Sequence, residues 1–174
     1  MSSAKKLTAM EGKGPAAKAG AYVVSDLSSD YVLTASEQIA HFDPQQRINI
    51  IRSGIPAASI GRLAARMGWS VELLINSLRL SRLCLDLVER QDTRLSSDES
   101  ERVLGVEKLI EIVHLMVEES GDPDGFDAAL WLGTWLSEPL PALGRAPPAS
   151  YLDTLEGQTL LSELLAMSQS GAYA

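Results

Sequence analysis

The residues of this chain predict an all-α fold, and three observations carry that prediction. Apolar side chains recur at a helical spacing of about 3.6 residues through most of the chain beyond Asp43. Helix-start signals stand in front of those runs, with Asp, Ser or Thr placed to cap free amides. The only β-prone stretches, Tyr22-Val23-Val24 and Tyr31-Val32-Leu33, are too short to define a sheet.

Taken in order, residues 1–42 read as a flexible N-terminal extension. Their first twenty residues are rich in Ala, Gly, Lys and Ser and show no amphipathic period that would offset the entropy of ordering them. Gly12-Lys13-Gly14-Pro15-Ala16-Ala17 fits a loose G-x-G-x-x-A pattern, but no strand precedes it and no helix follows, so it does not indicate a dinucleotide site. Asp43, Pro44 and Gln46 then form a strong helix start, and the helix should run through Arg52 to a stop at Gly54. A second helix is expected from Pro56 to Gly68 and a third, capped by Ser70, over Val71–Leu78. A fourth should begin at Ser81 and reach Arg90. Four short helices joined by loops of three or four residues are too tight for a long bundle and match a helix-turn-helix unit over 43–96. Its helix pair would be the third and fourth, with the fourth as recognition element.

Ser96-Ser97-Asp98-Glu99 is a capping box that opens a fifth helix, expected to reach Glu118. Its apolar residues, from Val103 to Val117, cover more than one stripe, which requires burial on two sides, as a central helix or a dimer seam. Asp122-Pro123-Asp124-Gly125 breaks the chain. A sixth helix is expected over Phe126–Leu136, with Trp131 and Trp135 one turn apart on one face: core packing if buried, a partner surface if exposed. Residues 137–150, with four prolines, should form a rigid extended loop. Asp153-Thr154-Leu155-Glu156 caps a last helix reaching about Ser168, and a short tail, Ser170 to Ala174, follows.

Composition bounds the function. The 174 residues are 45% apolar and 22% charged, enough for a real core. No run of about 18 to 20 apolar residues exists for a membrane span and no secretory signal is apparent, so a cytoplasmic protein is expected. The single cysteine, Cys84, has no partner at metal-ligand spacing and reads as structural. His41 and His114 stand in unrelated segments, and the H-E-x-x-H, P-loop and G-x-S-x-G patterns are missing. No catalytic residue, metal site or cofactor is expected, and the chain reads as a non-enzyme. The net charge of −8 is uneven. Residues 44–96 carry eight arginines against four acidic residues, a net +4, whereas 97–174 carry three basic against fourteen acidic, a net −11. Only the first of these segments is suited to displacing phosphate counterions.

Three motifs add a resemblance. Pro141-Ala142-Leu143-Gly144-Arg145-Ala146-Pro147-Pro148, Tyr151-Leu152-Asp153-Thr154-Leu155-Glu156-Gly157 and the terminal Gly171-Ala172-Tyr173-Ala174 resemble the signature of the Xre/ParS/MbcA antitoxins, an "ALGG-x-x-P" loop, an "LL-D-T-x-EG" helix start and a "G-x-[YF]-x" tail. Arg145 replaces the usual second glycine. Leu132 to Gly144 is similar to the family's Trp-Leu and Pro-rich run. Leu73 to Arg90 matches the helix-turn-helix segment in its apolar frame but less in its polar one: the fourth helix exposes Arg82, Asp86, Glu89 and Arg90.

The resemblance implies residues 97–174 as a toxin-binding and dimerisation domain. It also implies a RES-domain toxin acting on NAD as partner, and a homodimer within a larger hetero-oligomer. Toxin contact would fall to Leu143, Gly144, Arg145, Met167, Gly171, Ala172, Tyr173 and Ala174. Contact with operator DNA would fall to Arg79, Ser81, Arg82, Arg90 and Arg94. The expected function is therefore an antitoxin that plugs the toxin's active site with its C-terminal segment and represses its own operon. The alternative is a free-standing helix-turn-helix regulator whose C-terminal domain only dimerises.

Overall fold

The computed structural model describes residues 42–88, 93–121 and 124–169. Among these residues the chain forms seven α-helices: α1 (Pro44–Ser53), α2 (Ala58–Arg66), α3 (Val71–Ser77), α4 (Leu83–Leu87), α5 (Ser97–Ser120), α6 (Ala128–Ser137) and α7 (Leu155–Gln169). Two 3-10 turns, Pro141–Leu143 and Pro148–Tyr151, lie between α6 and α7.

Local chemistry sets most of the boundaries. Asp43 accepts the Gln46 amide at 2.9 Å while the Gln46 side chain accepts the Asp43 amide at 3.2 Å, a closed capping box in front of Pro44. Gly54, at φ 74°, ends that helix. Ser70 caps α3 through the Leu73 amide, and Ser96 with Glu99 closes the second capping box at the head of α5. Gly121, left-handed at φ 96°, stops α5 two residues beyond the expected Glu118. α6 begins at Ala128 and not at Phe126, because the Asp127 carboxylate accepts the Leu130 amide and so holds the N-cap position.

Three expectations need correction. α2 starts at Ala58 because the preceding residues pair across space: Leu95 donates to the Ile55 carbonyl at 2.9 Å, Ala57 donates to the Thr93 carbonyl at 2.8 Å, and Pro56 and Arg94 form an antiparallel bridge. The fourth helix is five residues long, Leu83–Leu87, and not the Ser81–Arg90 helix expected. The Ser81 hydroxyl accepts the Leu83 amide at 3.3 Å, as a cap one residue ahead of Arg82, but Leu83 is 67% exposed and Val88 turns inward to pack on the core near Gly61. Residues 137–150 are not extended. The proline φ suits 3-10 geometry as well, and Gly144 and Arg145, both left-handed at φ 64° and 69°, fold the chain back so that Arg145 donates to the Leu140 carbonyl at 3.0 Å.

One apolar core serves both sides of Ser96. Ile60, Leu63, Met67, Leu74 and Leu78 from the first part join Leu109, Leu132, Leu136, Leu152 and Leu161 from the second, all essentially solvent-free. Each such side chain contributes about 1.5–3 kcal/mol by leaving water. α5 is the central helix expected from its two apolar faces, packing against α1, α6 and α7. Among the described residues no helix is long and apolar enough to cross a membrane.

Candidate functional site

The first two of the three C-terminal motifs converge on one piece of architecture: the turn after α6, the second 3-10 turn and the head of α7. Thr154 accepts the Gly157 amide at 3.1 Å and so caps α7. The glycine two residues after Leu155 is steric. A Cβ there would lie 2.0 Å from the Tyr151 carbonyl oxygen, so only glycine lets the helix start sit on the preceding turn. Next to it, Gln158 is buried and donates from Nε2 to the carbonyls of Arg102 and Leu152, each at 2.9 Å. Gly105 leaves room for that amide: a Cβ at 105 would sit 1.7 Å from Gln158 Oε1. α5, α7 and the intervening turn are thus locked by two glycines and one glutamine.

Asp153 has a different task from capping. Its carboxylate pairs with Arg79 Nε at 3.0 Å, joining the head of α7 to the turn after α3. Arg79 holds φ 47°, in the left-handed region unusual for a non-glycine residue. A second tie lies nearby, where the Trp69 indole donates to the Gly133 carbonyl at 2.9 Å. Gly133 is needed there because a Cβ would stand 2.1 Å from the Met67 carbonyl oxygen. A third joins α2 to α5: Arg66 Nη1 reaches both carboxylate oxygens of the buried Glu107 at 2.9 and 2.8 Å.

Of the expected toxin-contacting residues, Leu143, Gly144 and Arg145 come together in the turn after α6. Leu143 packs on the core, and Gly144 and Arg145 are exposed. Met167 is exposed in the last turns of α7, as are Leu155 and Leu160 elsewhere on the same helix. Gly171, Ala172, Tyr173 and Ala174 lie outside the described residues. Among the expected DNA contacts, Arg79 is engaged by Asp153, and Arg94 Nη1 donates to the Gly54 carbonyl at 2.7 Å. The Ser81 amide donates to Glu99 at 3.1 Å, Arg82 is exposed, and Arg90 lies outside the described residues.

Glu99 gathers that region. Partial burial raises its pKa, but hydrogen bonds from the Ser81 amide and from the hydroxyl and amide of Ser96 outweigh this and hold it below the usual carboxylate value. Cys84, whose Sγ lies 3.6 Å from the same carboxylate, is pushed up to about 11 by burial and then by that negative charge. A thiol in this state is protonated and inert. Among the described residues no three His, Cys, Asp or Glu side chains gather as metal ligands.

The exposed aromatic cluster on α6 is the feature that sequence reading left open. Trp131 and Trp135 stack with centroids 6.3 Å apart and planes 12° from parallel, and Phe126 meets Trp131 at 6.3 Å. Trp135 packs half-buried against the core, whereas Phe126 and Trp131 are exposed; the spacing was legible, this division was not.

A helical scaffold with a displayed turn and exposed apolar side chains offers surfaces for a protein partner. Residues 125–171 match the family model of the antitoxin Xre/MbcA/ParS C-terminal toxin-binding domain. The chain is also 43% identical over 131 residues to the Prs ADP-ribosylating antitoxin of Sphingobium sp. (strain YBL2), covering 75% of this chain and 82% of the relative. The chain belongs to the Xre/MbcA/ParS antitoxin family. It is an antitoxin with a toxin as partner, and not an enzyme.

Proposed function

We propose that this antitoxin neutralises a RES-domain toxin that consumes NAD, by inserting its C-terminal segment into the toxin's active site. The observation that carries the reading is the extent of the toxin-binding match, which runs from residue 125 through α7 to residue 171, at the start of the Gly171-Ala172-Tyr173-Ala174 tail. α7 supports it by presenting Leu155, Leu160 and Met167 outward on the way to that tail. Tyr173 then stacks in the toxin's concave nucleotide pocket. The name of the Sphingobium relative couples an antitoxin to ADP-ribosylation, which fits a partner that moves ADP-ribose from NAD. The turn at Leu143, Gly144 and Arg145 serves as a flanking contact.

The same proposal includes autoregulation. Residues 43–96 act as the helix-turn-helix domain and 97–174 as the toxin-binding and dimerising one, with Arg79, Ser81, Arg82, Arg90 and Arg94 facing operator DNA. The net +4 of residues 44–96 supports this.

The test is a truncation lacking residues 170–174, co-expressed with a RES-domain toxin. The truncated chain is expected to fold and still shift operator DNA, while NAD loss proceeds as with toxin alone. Full protection of NAD by the truncated chain would remove the occlusion mechanism.

A further inference from the structure

Resting on that reading of the protein as a toxin inhibitor, we propose that the aromatic face of α6 and the acidic cleft beside it form a second docking surface for the toxin. It would take a basic, apolar ridge of the toxin independently of the C-terminal tail. Phe126 and Trp131 are 36% and 38% exposed, large apolar side chains held at the surface by their mutual packing. The stack of Trp131 on the half-buried Trp135 fixes the first indole on the scaffold, so little rotamer entropy is lost when a partner covers it. Rigid aromatic anchors of this kind dominate the energetics of protein interfaces.

Beside Phe126 opens a cleft of about 780 Å³ between the C-terminal half of α5 and the head of α6, with Leu115 in its wall. Its charged lining is acidic. Glu111, Glu118 and Asp127 face it, whereas the Arg66 guanidinium in the same wall is held by Glu107 at 2.8 Å and His114 lies 3.3 Å from Glu118. That sign selects the occupant. Nucleic acid would meet like charge, and so would the C-terminal unit of a second copy, since residues 97–174 carry a net −11. A basic protein surface is complementary. The face also begins where the toxin-binding match begins, at residue 125, which makes it continuous with the segment assigned to toxin contact.

The experiment measures binding and dissociation rates between the toxin and six antitoxins: the unaltered chain, Trp131→Ala, Trp131→Phe, the double variant Glu111→Lys with Glu118→Lys, a chain ending at Gln169, and that shortened chain carrying Trp131→Ala. Each is paired with NAD consumption, circular dichroism and light scattering of the antitoxin alone. Trp131→Ala should bind about 30-fold more weakly, chiefly through faster dissociation, with unchanged helicity and oligomeric state. The double charge reversal should slow association and flatten its salt dependence. The chain ending at Gln169 should still capture toxin but leave NAD consumption running, and adding Trp131→Ala to it should abolish the capture. Trp131→Phe should keep most of the affinity. Wild-type binding by both Trp131→Ala and the charge reversal would overturn the inference, as would a change of oligomeric state in Trp131→Ala alone, which would assign the face to self-association. Failure of the unaltered chain to bind toxin would remove the functional reading itself, and this inference with it.

Discussion

Gly157 shows at the scale of one residue how a family motif reduces to sterics. Its amide meets Thr154 and its missing Cβ leaves space for the Tyr151 carbonyl oxygen, so the helix start and the turn before it fit only without a side chain. Gly157→Ala is expected to lower stability by about 3 kcal/mol, read as a shift in the urea midpoint with an unchanged slope. Arg145 is the reverse case. It occupies φ 69° where the family usually places glycine, and a non-glycine residue in that region costs about 1 kcal/mol. Its side chain is exposed, so Arg145→Gly should recover a gain of that order in the same assay. The motif itself was legible in the sequence, and so was the departure at 145. The reason was not, because the oxygen that forbids a Cβ at 157 belongs to a turn six residues upstream whose path depends on the whole Pro-rich segment.

At the scale of elements, the junction of α4 and α5 couples stability to pH in two directions. The Glu99 carboxyl is held below its ordinary 4.5, so its share of stability is fully present above that value and is lost as pH falls through the depressed folded-state pKa. Glu99→Gln should therefore flatten the acid limb of the stability profile. Cys84 is raised from 9.0 to about 11, so between these values the unfolded chain releases the proton while the folded one keeps it, and stability declines as pH rises. Cys84→Ala should remove that alkaline decline, and a maleimide reagent at pH 8 should label Cys84 only after urea is added. How well each element could be read follows from how local its determinants are. The capping boxes at Asp43 and Ser96 lie within four residues and were readable, whereas the pairing of Ile55 with Leu95 spans forty and has no local signal. In α4 the leucines at 83 and 85 are exposed while Cys84 between them is buried, a placement that no local signal sets.

For the whole molecule, charge asymmetry suggested two units, yet the packing is shared. Leu74 and Leu78 of the first part belong to the same solvent-free cluster as Leu132, Leu152 and Leu161 of the second, and three polar ties cross between the two parts: Arg66 to Glu107, Trp69 to Gly133, and Arg79 to Asp153. None was foreseeable from spacing, since each joins residues more than forty positions apart, although isolated glycines within helical runs at 105 and 133 were signs of close approach. A core shared in this way cannot lose one part and leave the other covered, because the buried faces of α3 and α6, with Leu74 and Leu132, would be opened to water. Unfolding should therefore be one transition: far-ultraviolet ellipticity and the emission of Trp69 at the seam, read in a chain carrying Trp131→Phe and Trp135→Phe, should trace the same urea curve. Arg79 and Asp153 give a finer measure of the coupling. Arg79 is 78% exposed, so the pair is screened, and a double-mutant cycle of Arg79→Ala with Asp153→Ala should give an interaction of about 0.5 kcal/mol. Two separated transitions, with indole emission changing ahead of ellipticity, would show instead that the acidic half holds together without its basic neighbour. Toxin binding could then stabilise only the half that it touches.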